Sequence, residues 1–138
     1  MQLATYLLFE GNCGEAFRFY AQTLGGKIDF IQTFGDSPER DKTPPDQHHL
    51  VIHVHMTVGD QVLMGSDAPP PHFERPQGFS VSIAVDDKEE ATRIYRALAE
   101  GGKETMPLGE TFWSPLFGMC TDRFGTPWMV NYTPPQSS

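Results

Sequence analysis

The sequence predicts an α+β fold built from two βαβββ modules. The first observation is an internal repeat. The stretches "YLLFEGNCGEAFRFYAQTLGGK" (6–27) and "SIAVDDKEEATRIYRALAEGGK" (82–103) both run from an apolar alternating segment through a turn and an amphipathic segment to Gly-Gly-Lys. The second is periodicity, because apolar residues recur at helical spacing within each amphipathic segment. The third is that strand signals follow each predicted helix. Together these observations predict a single domain, residues 1–138, made of two similar halves.

The first module is predicted to cover about residues 1–67. Its helix follows a short apolar strand and carries its apolar side chains on one face, namely Cys13, Ala16, Phe17, Tyr20 and Leu24. Asn12 followed by Glu15 resembles a capping box, and Gly25-Gly26 supplies a left-handed stop. Strands are then predicted at 27–34, 49–58 and 61–66, with a polar loop at 35–47.

The second module is predicted to cover about residues 79–134, after a proline-rich connector at 68–78. A strand at 79–85 precedes a helix whose apolar face carries Ala91, Ile94, Tyr95 and Leu98. Asp87 followed by Glu90 repeats the capping-box pattern. Strands are predicted at 103–112, 118–122 and 127–132, and the last two are joined by a hairpin turn.

Alternation along the strands separates apolar faces from mixed ones. In the strand 50–58, Val54 and Met56 share a wholly apolar face, whereas His53 and His55 share the other face with Val51 and Thr57. In the last strand, Trp128, Val130 and Tyr132 oppose Met129 and Asn131. We expect the apolar faces to pack on the helices and the mixed faces to point the other way.

The mixed faces are candidates for a small-molecule pocket, because such sites combine apolar surface with a few polar groups. A solvated sheet face is the alternative. Large aromatic residues in the poorly periodic segment before residue 118 either cap this pocket or form a dimer contact. The predicted pocket residues are Tyr6, His53, His55, Ser80, Ser82, Trp113, Phe117, Met129 and Asn131.

The composition argues against a nucleic-acid-binding protein and against a membrane protein. The net charge is −8 and Lys and Arg form no run, which disfavours nucleic acid as a partner. No apolar stretch approaches about 20 residues, so we expect no membrane span. The N-terminal segment lacks the basic region and cleavage site of a secretion signal. We therefore expect a cytoplasmic protein in which Cys13 and Cys120 are free thiols.

Several segments resemble the PhnB-like branch of the vicinal oxygen chelate superfamily, which includes glyoxalase I, bleomycin-resistance proteins and extradiol dioxygenases. They are "YLLFEGNCGEAFRFYAQTLGGKI", "VLMGSD", "ETFWSPLFGMCTD" and "DRFGTPWMVNY". The resemblance covers nearly the whole chain. It implies two βαβββ modules with cupped mixed sheets around a cavity and helices on the outer face, completed by homodimerisation.

The resemblance also implies a divalent metal, but this chain departs from the ligand pattern. The superfamily's four ligand positions fall near Ala4, Leu63, Ser80 and Met129, none of which is a good ligand for a hard cation. We therefore expect neither metal nor cofactor. His53 and His55 leave an alternative open, because imidazoles two apart on a strand share a face; Glu10, Asp67 or Glu110 would then have to supply a third ligand.

Two functions remain. The first is a PhnB-like small-molecule-binding protein of the glyoxalase/bleomycin-resistance type. The second is a vicinal oxygen chelate enzyme, a lyase, isomerase or transferase, that uses His53 and His55 as acid–base groups or metal ligands. The missing ligand set favours the first. The expected partners are a small-molecule ligand and a second copy of the chain. A methyltransferase, the activity for which this branch is often labelled, is disfavoured because no Gly-rich strand-to-helix turn is present to hold a nucleotide-like cofactor.

Overall fold

The structure, a computed structural model, describes residues 1–68 and 72–135. Residues 69–71 of the predicted connector lie outside the described residues. The chain divides into two compact units, Met1–Glu74 and Arg75–Ser138, and the boundary falls within the predicted connector. No helix in the described part of the chain is long and apolar enough to cross a membrane.

The first unit contains one helix and a four-stranded sheet. Its elements are β1 (Thr5–Phe9), α1 (Cys13–Leu24), β2 (Lys27–Thr33), β3 (Val51–Val58) and β4 (Gln61–Asp67). The strand order is β1-β4-β3-β2, in which β1 is parallel to β4 and the other pairs are antiparallel. Three short 3₁₀ turns occupy the polar loop between β2 and β3.

The second unit repeats this topology. Its elements are β5 (Val81–Val85), α2 (Lys88–Ala99), β6 (Lys103–Gly109), β7 (Phe117–Thr121) and β8 (Pro127–Tyr132). The strand order is β5-β8-β7-β6, and β5 is parallel to β8. The predicted α+β class and the two βαβββ modules are therefore confirmed. The predicted strand 103–112 is too long, because β6 ends at Gly109 and the chain then turns.

The core of the first unit lies between α1 and one face of its sheet. From the helix, Cys13, Ala16, Phe17 and Tyr20 are fully buried, as their spacing predicts. Leu24, the fifth predicted core residue, is only half-buried, and Thr23 is buried instead. From the sheet, the core receives Leu7, Phe9, Val54 and Met56.

The start of α1 differs from the predicted capping box. The Asn12 side chain makes no capping hydrogen bond. The carboxylate of Asp67, at the end of β4, accepts instead from the backbone amides of Gly11 (2.8 Å) and Cys13 (3.0 Å). Its other oxygen accepts from the amide of Val51 at 2.8 Å. A buried acid distant in sequence therefore replaces the local cap.

The second unit buries the predicted apolar face of α2 against β7 and β8. Trp128 and Val130 are almost fully buried on the helix side, as predicted, and the indole N–H of Trp128 donates to Asp122 at 2.8 Å. Asp87 accepts from the amide of Glu89 at 3.4 Å. The capping box is incomplete, because the carboxylate of Glu90 pairs with Arg93 instead.

Two irregularities interrupt the pairing of β2 with β3. Ile28 pairs with Met56, but Phe30 pairs with His55, which leaves Asp29 as an extra residue on β2. Further along, Gln32 pairs with His53 and Thr33 with Val51, which leaves an extra residue on β3. The second bulge moves Val51 to the helix side, where it is 2% exposed. The prediction that Val51 shares a face with His53 is therefore wrong.

Candidate functional site

One face of the first sheet points away from α1 and carries the predicted histidines. The strand register places Tyr6, Met64, His55 and Phe30 in one row across the four strands. His53 lies two residues before His55 along β3 and faces the same way. We call these five residues the histidine face. Tyr6 is 44% exposed and Phe30 is 49% exposed, so the face presents aromatic surface beyond the unit's own core.

His53 is held within a group of aromatic rings. Its Nδ1 lies 3.2 Å from the phenol oxygen of Tyr6. The two rings stack with centroids 5.7 Å apart and planes 22° apart. The ring of Phe30 lies on another side of the imidazole, at a centroid distance of 6.1 Å. The imidazole is therefore fixed in place by two partly exposed aromatic side chains.

His55 is paired with a carboxylate. Its Nδ1 lies 3.4 Å from Oδ2 of Asp29, which also accepts a hydrogen bond from the hydroxyl of Thr57 at 2.9 Å. The side chains of His55 and Asp29 are 31% and 34% exposed, so this pair is open to solvent. Asp29 reaches the imidazole because the bulge in β2 turns its side chain toward β3.

Sequence reasoning missed Asp29 and Phe30. The only signal was a single acidic residue inside the apolar run "KIDFIQTF". Regular alternation puts Asp29 on the same face as Ile31 and puts Phe30 on the opposite one. A bulge changes which face each side chain points to, so the contact between Asp29 and His55 does not follow from spacing alone.

In the second unit, the structure brings most of the predicted residues onto one face of the sheet. Ser82 pairs with Met129, and Phe117 pairs with Asn131, so the four share the face opposite α2. Phe117 is 8% exposed and Ser82 is exposed. Ser80 is half-buried and lies just before β5.

The loop between β6 and β7 displays two aromatic rings. Phe112 is 98% exposed and Trp113 is 55% exposed, and their rings meet edge to face at 4.7 Å. Trp113 also contacts Phe117 edge to face at 5.5 Å. The buried hydroxyl of Ser114 anchors the loop, because its oxygen lies within hydrogen-bond distance of the carbonyl of Leu116 and of the side-chain carbonyl of Asn131. The loop is thus tied to the same sheet face as Asn131.

The second unit also contains an open depression of about 520 Å³, lined by residues 84–87, 90 and 133–135. Sequence reasoning did not predict it. Two of its carboxylates are already engaged, because Asp87 caps α2 and Glu90 pairs with Arg93 at 2.5 Å. The hydrogen bond from Arg93 lowers the pKa of Glu90. These contacts account for Asp87 and Glu90 as a cap and a surface pair of the helix.

The metal positions implied by the resemblance do not fit a divalent cation. Leu63 is a core residue with 7% exposure, and the other three positions offer a methyl group, a hydroxyl and a thioether. Within residues 1–68 and 72–135, no group of three or more His, Cys, Asp or Glu side chains is arranged to hold a metal ion.

Both cysteines are buried free thiols and are poor nucleophiles. Burial, together with the nearby charge of Asp67, raises the pKa of Cys13 far above its ordinary value. Burial, with smaller effects of Asp122 and Glu104, raises the pKa of Cys120 to about 11. Neither thiol is therefore suited to covalent catalysis near neutral pH.

Comparisons with known proteins show the family of this chain and its relatives. A family model described as 3-demethylubiquinone-9 3-methyltransferase matches residues 1–131. The protein YjdN of Escherichia coli (strain K12) is 33% identical over 139 residues, which cover 95% of this chain and 95% of that protein. The crystal structure of protein PA1353 from Pseudomonas aeruginosa has a TM-score of 0.89 at 48% identity and covers 98% of this chain and 99% of that one.

Two further solved structures extend the likeness. A PhnB protein from Bacillus cereus has a TM-score of 0.83 at 27% identity, over 96% of this chain and all of the other. A glyoxylase/bleomycin resistance protein/dioxygenase domain from Frankia sp. has a TM-score of 0.62 at 14% identity, over 95% of this chain and 94% of that one. The second likeness concerns the fold alone.

Proposed function

We propose that this chain, which belongs to the 3-demethylubiquinone-9 3-methyltransferase family, is a small-molecule-binding protein of the PhnB-like, glyoxalase/bleomycin-resistance type. Its ligand contacts the histidine face. One observation carries the proposal: Tyr6 and Phe30 leave nearly half of their surface exposed around the imidazole of His53. Aromatic surface with a few fixed polar groups is typical of sites for small organic molecules.

The methyltransferase activity in the family's description is not part of this proposal. A cofactor that carries phosphate commonly binds through free backbone amides at a helix N-terminus. In this chain the amides of Gly11 and Cys13, at the start of α1, already donate to the carboxylate of Asp67. The negative charge of Asp67 would also repel an anionic group there.

The fluorescent probe N-phenyl-1-naphthylamine tests the proposal, because its emission rises in an aromatic or apolar site. We expect the protein to enhance its emission and the double variant Tyr6→Ala/Phe30→Ala to lose most of the enhancement. Ile31→Ala is the matched control, since Ile31 is 40% exposed but pairs with Val54 of the helix side. Equal enhancement by the double variant and the wild type would reject the histidine face as the site.

An enzyme that uses the same histidines is the second candidate function. The pairing of His55 with Asp29 favours it, because a carboxylate beside an imidazole is a common arrangement for proton transfer. Incubation with a deproteinised extract of small metabolites, followed by mass spectrometry, tests it. An enzyme would deplete one mass and produce another, and the variant His53→Ala/His55→Ala would do neither. An unchanged extract favours the binding function.

We propose that ligand binding needs no metal. The unsuitable residues at the implied ligand positions support this view. Chelator-treated protein should keep its full affinity for N-phenyl-1-naphthylamine. One tightly held divalent metal per chain, found by elemental analysis of protein purified without chelator, would reject the metal-free reading.

We also propose that the protein acts in the cytoplasm as a homodimer. The two free thiols support a reducing compartment. The exposed rings of Phe112 and Trp113 support self-association, because aromatic residues are enriched in protein interfaces.

A further inference from the structure

The pairing of Asp29 with His55 restricts which protonation form the imidazole takes. An ionised carboxylate can only accept hydrogen bonds, so a contact with Nδ1 favours the form that carries its proton on Nδ1. The hydroxyl of Thr57 donates to the same carboxylate oxygen and holds it in place. Neutral His55 then keeps an unshared electron pair on Nε2.

That electron pair is available to a ligand. Within the described residues, Nε2 of His55 makes no hydrogen bond, and the side chain is 31% exposed. Phe30 lies directly opposite His55 in the neighbouring strand, and Tyr6 lies in the same row. A hydrogen-bond acceptor therefore stands beside partly exposed aromatic rings.

The surrounding charge argues against an anionic ligand. The carboxylate of Asp29 is in contact with His55, and the chain carries a net charge of −8. Both disfavour a carboxylate or phosphate group at this position. A group that fits is not anionic and donates a hydrogen bond, and a neutral hydroxyl attached to a flat ring that packs on aromatic side chains meets both conditions.

We infer that the ligand of the histidine face carries an uncharged phenolic hydroxyl, which donates its hydrogen bond to Nε2 of His55. Asp29 acts as a positioning residue, because it selects the form of His55 that can accept this bond. This inference rests on the proposed function and names the class of molecule that the site takes.

The protonation form is tested first. Long-range ¹H–¹⁵N NMR of the histidine rings at pH 8, where histidine is ordinarily neutral, should show His55 protonated on Nδ1. In Asp29→Asn the Nδ1 form should lose its dominance, because the amide can donate where the carboxylate only accepts. A wild-type His55 protonated mainly on Nε2 would overturn the inference.

Ligand discrimination is tested with para-cresol and its O-methyl ether, para-methylanisole, by NMR titration. We expect wild-type protein to bind para-cresol about tenfold more tightly, the effect of about one hydrogen bond. His55→Ala should remove this preference and change the affinity for para-methylanisole less than about twofold. His49→Ala, which alters an exposed histidine of the same unit, should keep the preference.

The outcomes distinguish a failure of the phenol inference from a failure of the proposed binding function. If both compounds bind the histidine face equally, the phenol inference fails while the aromatic binding site stands. If neither compound shifts the resonances of Tyr6, Phe30 or His53 at saturating concentration, the proposed function fails and the inference fails with it. Thermal unfolding of each variant shows whether a lost preference reflects lost folding.

Discussion

Asp67 shows how one buried side chain connects three separate segments. Its two carboxylate oxygens accept from amides in the β1–α1 turn, at the start of α1 and at the start of β3. The side chain is 6% exposed, so few water molecules can substitute for it. In sequence it looks like the end of a strand followed by a turn. Its role in joining segments more than fifty residues apart emerges only from the fold.

Replacing Asp67 with Ala should destabilise the protein by about 3 kcal/mol, because three backbone amides would lose their acceptor and unsatisfied buried donors are costly. Urea unfolding followed by circular dichroism measures the change. Asp60→Ala is the control, since Asp60 lies exposed in the β3–β4 turn, and it should change stability by no more than about 0.5 kcal/mol. Similar losses for the two variants would contradict the role assigned to Asp67.

The buried thiols predict a loss of stability in alkaline solution. The pKa values of Cys13 and Cys120 are both raised above the ordinary value of 9.0. The free energy of unfolding that the two protonated thiols contribute is fully present below pH 9. This contribution is lost as the pH rises above 9, because the unfolded chain then releases protons that the folded chain retains. Burial raises the pKa of the Tyr95 phenol as well, which adds a loss at higher pH.

Urea unfolding at pH 7.5 and pH 10.5 tests this linkage. We expect the wild type to be less stable at pH 10.5 and the variant Cys13→Ala/Cys120→Ala to show a smaller difference between the two pH values. Because each protein is compared with itself at the two pH values, the change in stability caused by removing the thiols cancels. An equal pH-dependent loss in both proteins would mean that groups other than the thiols cause it.

The helices and strands could largely be predicted from the sequence, whereas the bulges could not. Periodic apolar residues such as Ala91, Ile94 and Tyr95 mark a buried helical face, because packing repeats with the helical turn. A bulge depends on which residues of two distant strands pair with each other. Spacing therefore placed His53 and His55 on one face correctly but missed the contact of His55 with Asp29.

Two glycines of β6 and β7 should respond differently to the addition of a methyl group. A Cβ at Gly118 would lie 2.8 Å from the ring of Tyr95 in α2 and 3.1 Å from the backbone of Leu108. At Gly109 the nearest atom is 4.0 Å away. We expect Gly118→Ala to lower stability by about 1–3 kcal/mol through overpacking and Gly109→Ala to change it by less than about 1 kcal/mol.

Differential scanning calorimetry gives the measurement. The midpoint should fall for Gly118→Ala and stay close to the wild-type value for Gly109→Ala. A tolerated Gly118→Ala would mean that α2 packs less closely on β7 than the structure shows.

The repeated topology of the two units was predictable because sequence similarity between the halves reports on a duplicated structure. The identity of the proposed ligand was not predictable, because ligand choice depends on a few contacts that vary on a common fold. Homodimerisation also stays a prediction. Phe112 and Trp113 stay 98% and 55% exposed despite their contact with each other.

Light scattering coupled to size-exclusion chromatography tests the dimer. The chain mass is 15.4 kDa, so a dimer should elute with about twice that mass. Phe112→Ser should weaken the association if this loop contributes to the interface, and Phe79→Ser, which alters a 47% exposed ring elsewhere in the unit, provides a comparison. A monomer at high concentration would reject the proposed assembly.

The two extra residues in the β2–β3 pair restrict which single-residue deletions these strands can tolerate. One extra residue lies on each strand, so the second shift in pairing register cancels the first. Lys27 and Thr33 therefore pair with β3 in the same register. Loss of Asp29 alone would force the residues on one side of the gap to rotate to the opposite surface, since side-chain direction alternates with every position. We therefore expect viable descendants to lose or keep both extra positions together, so that deletions in these strands arise as matched pairs.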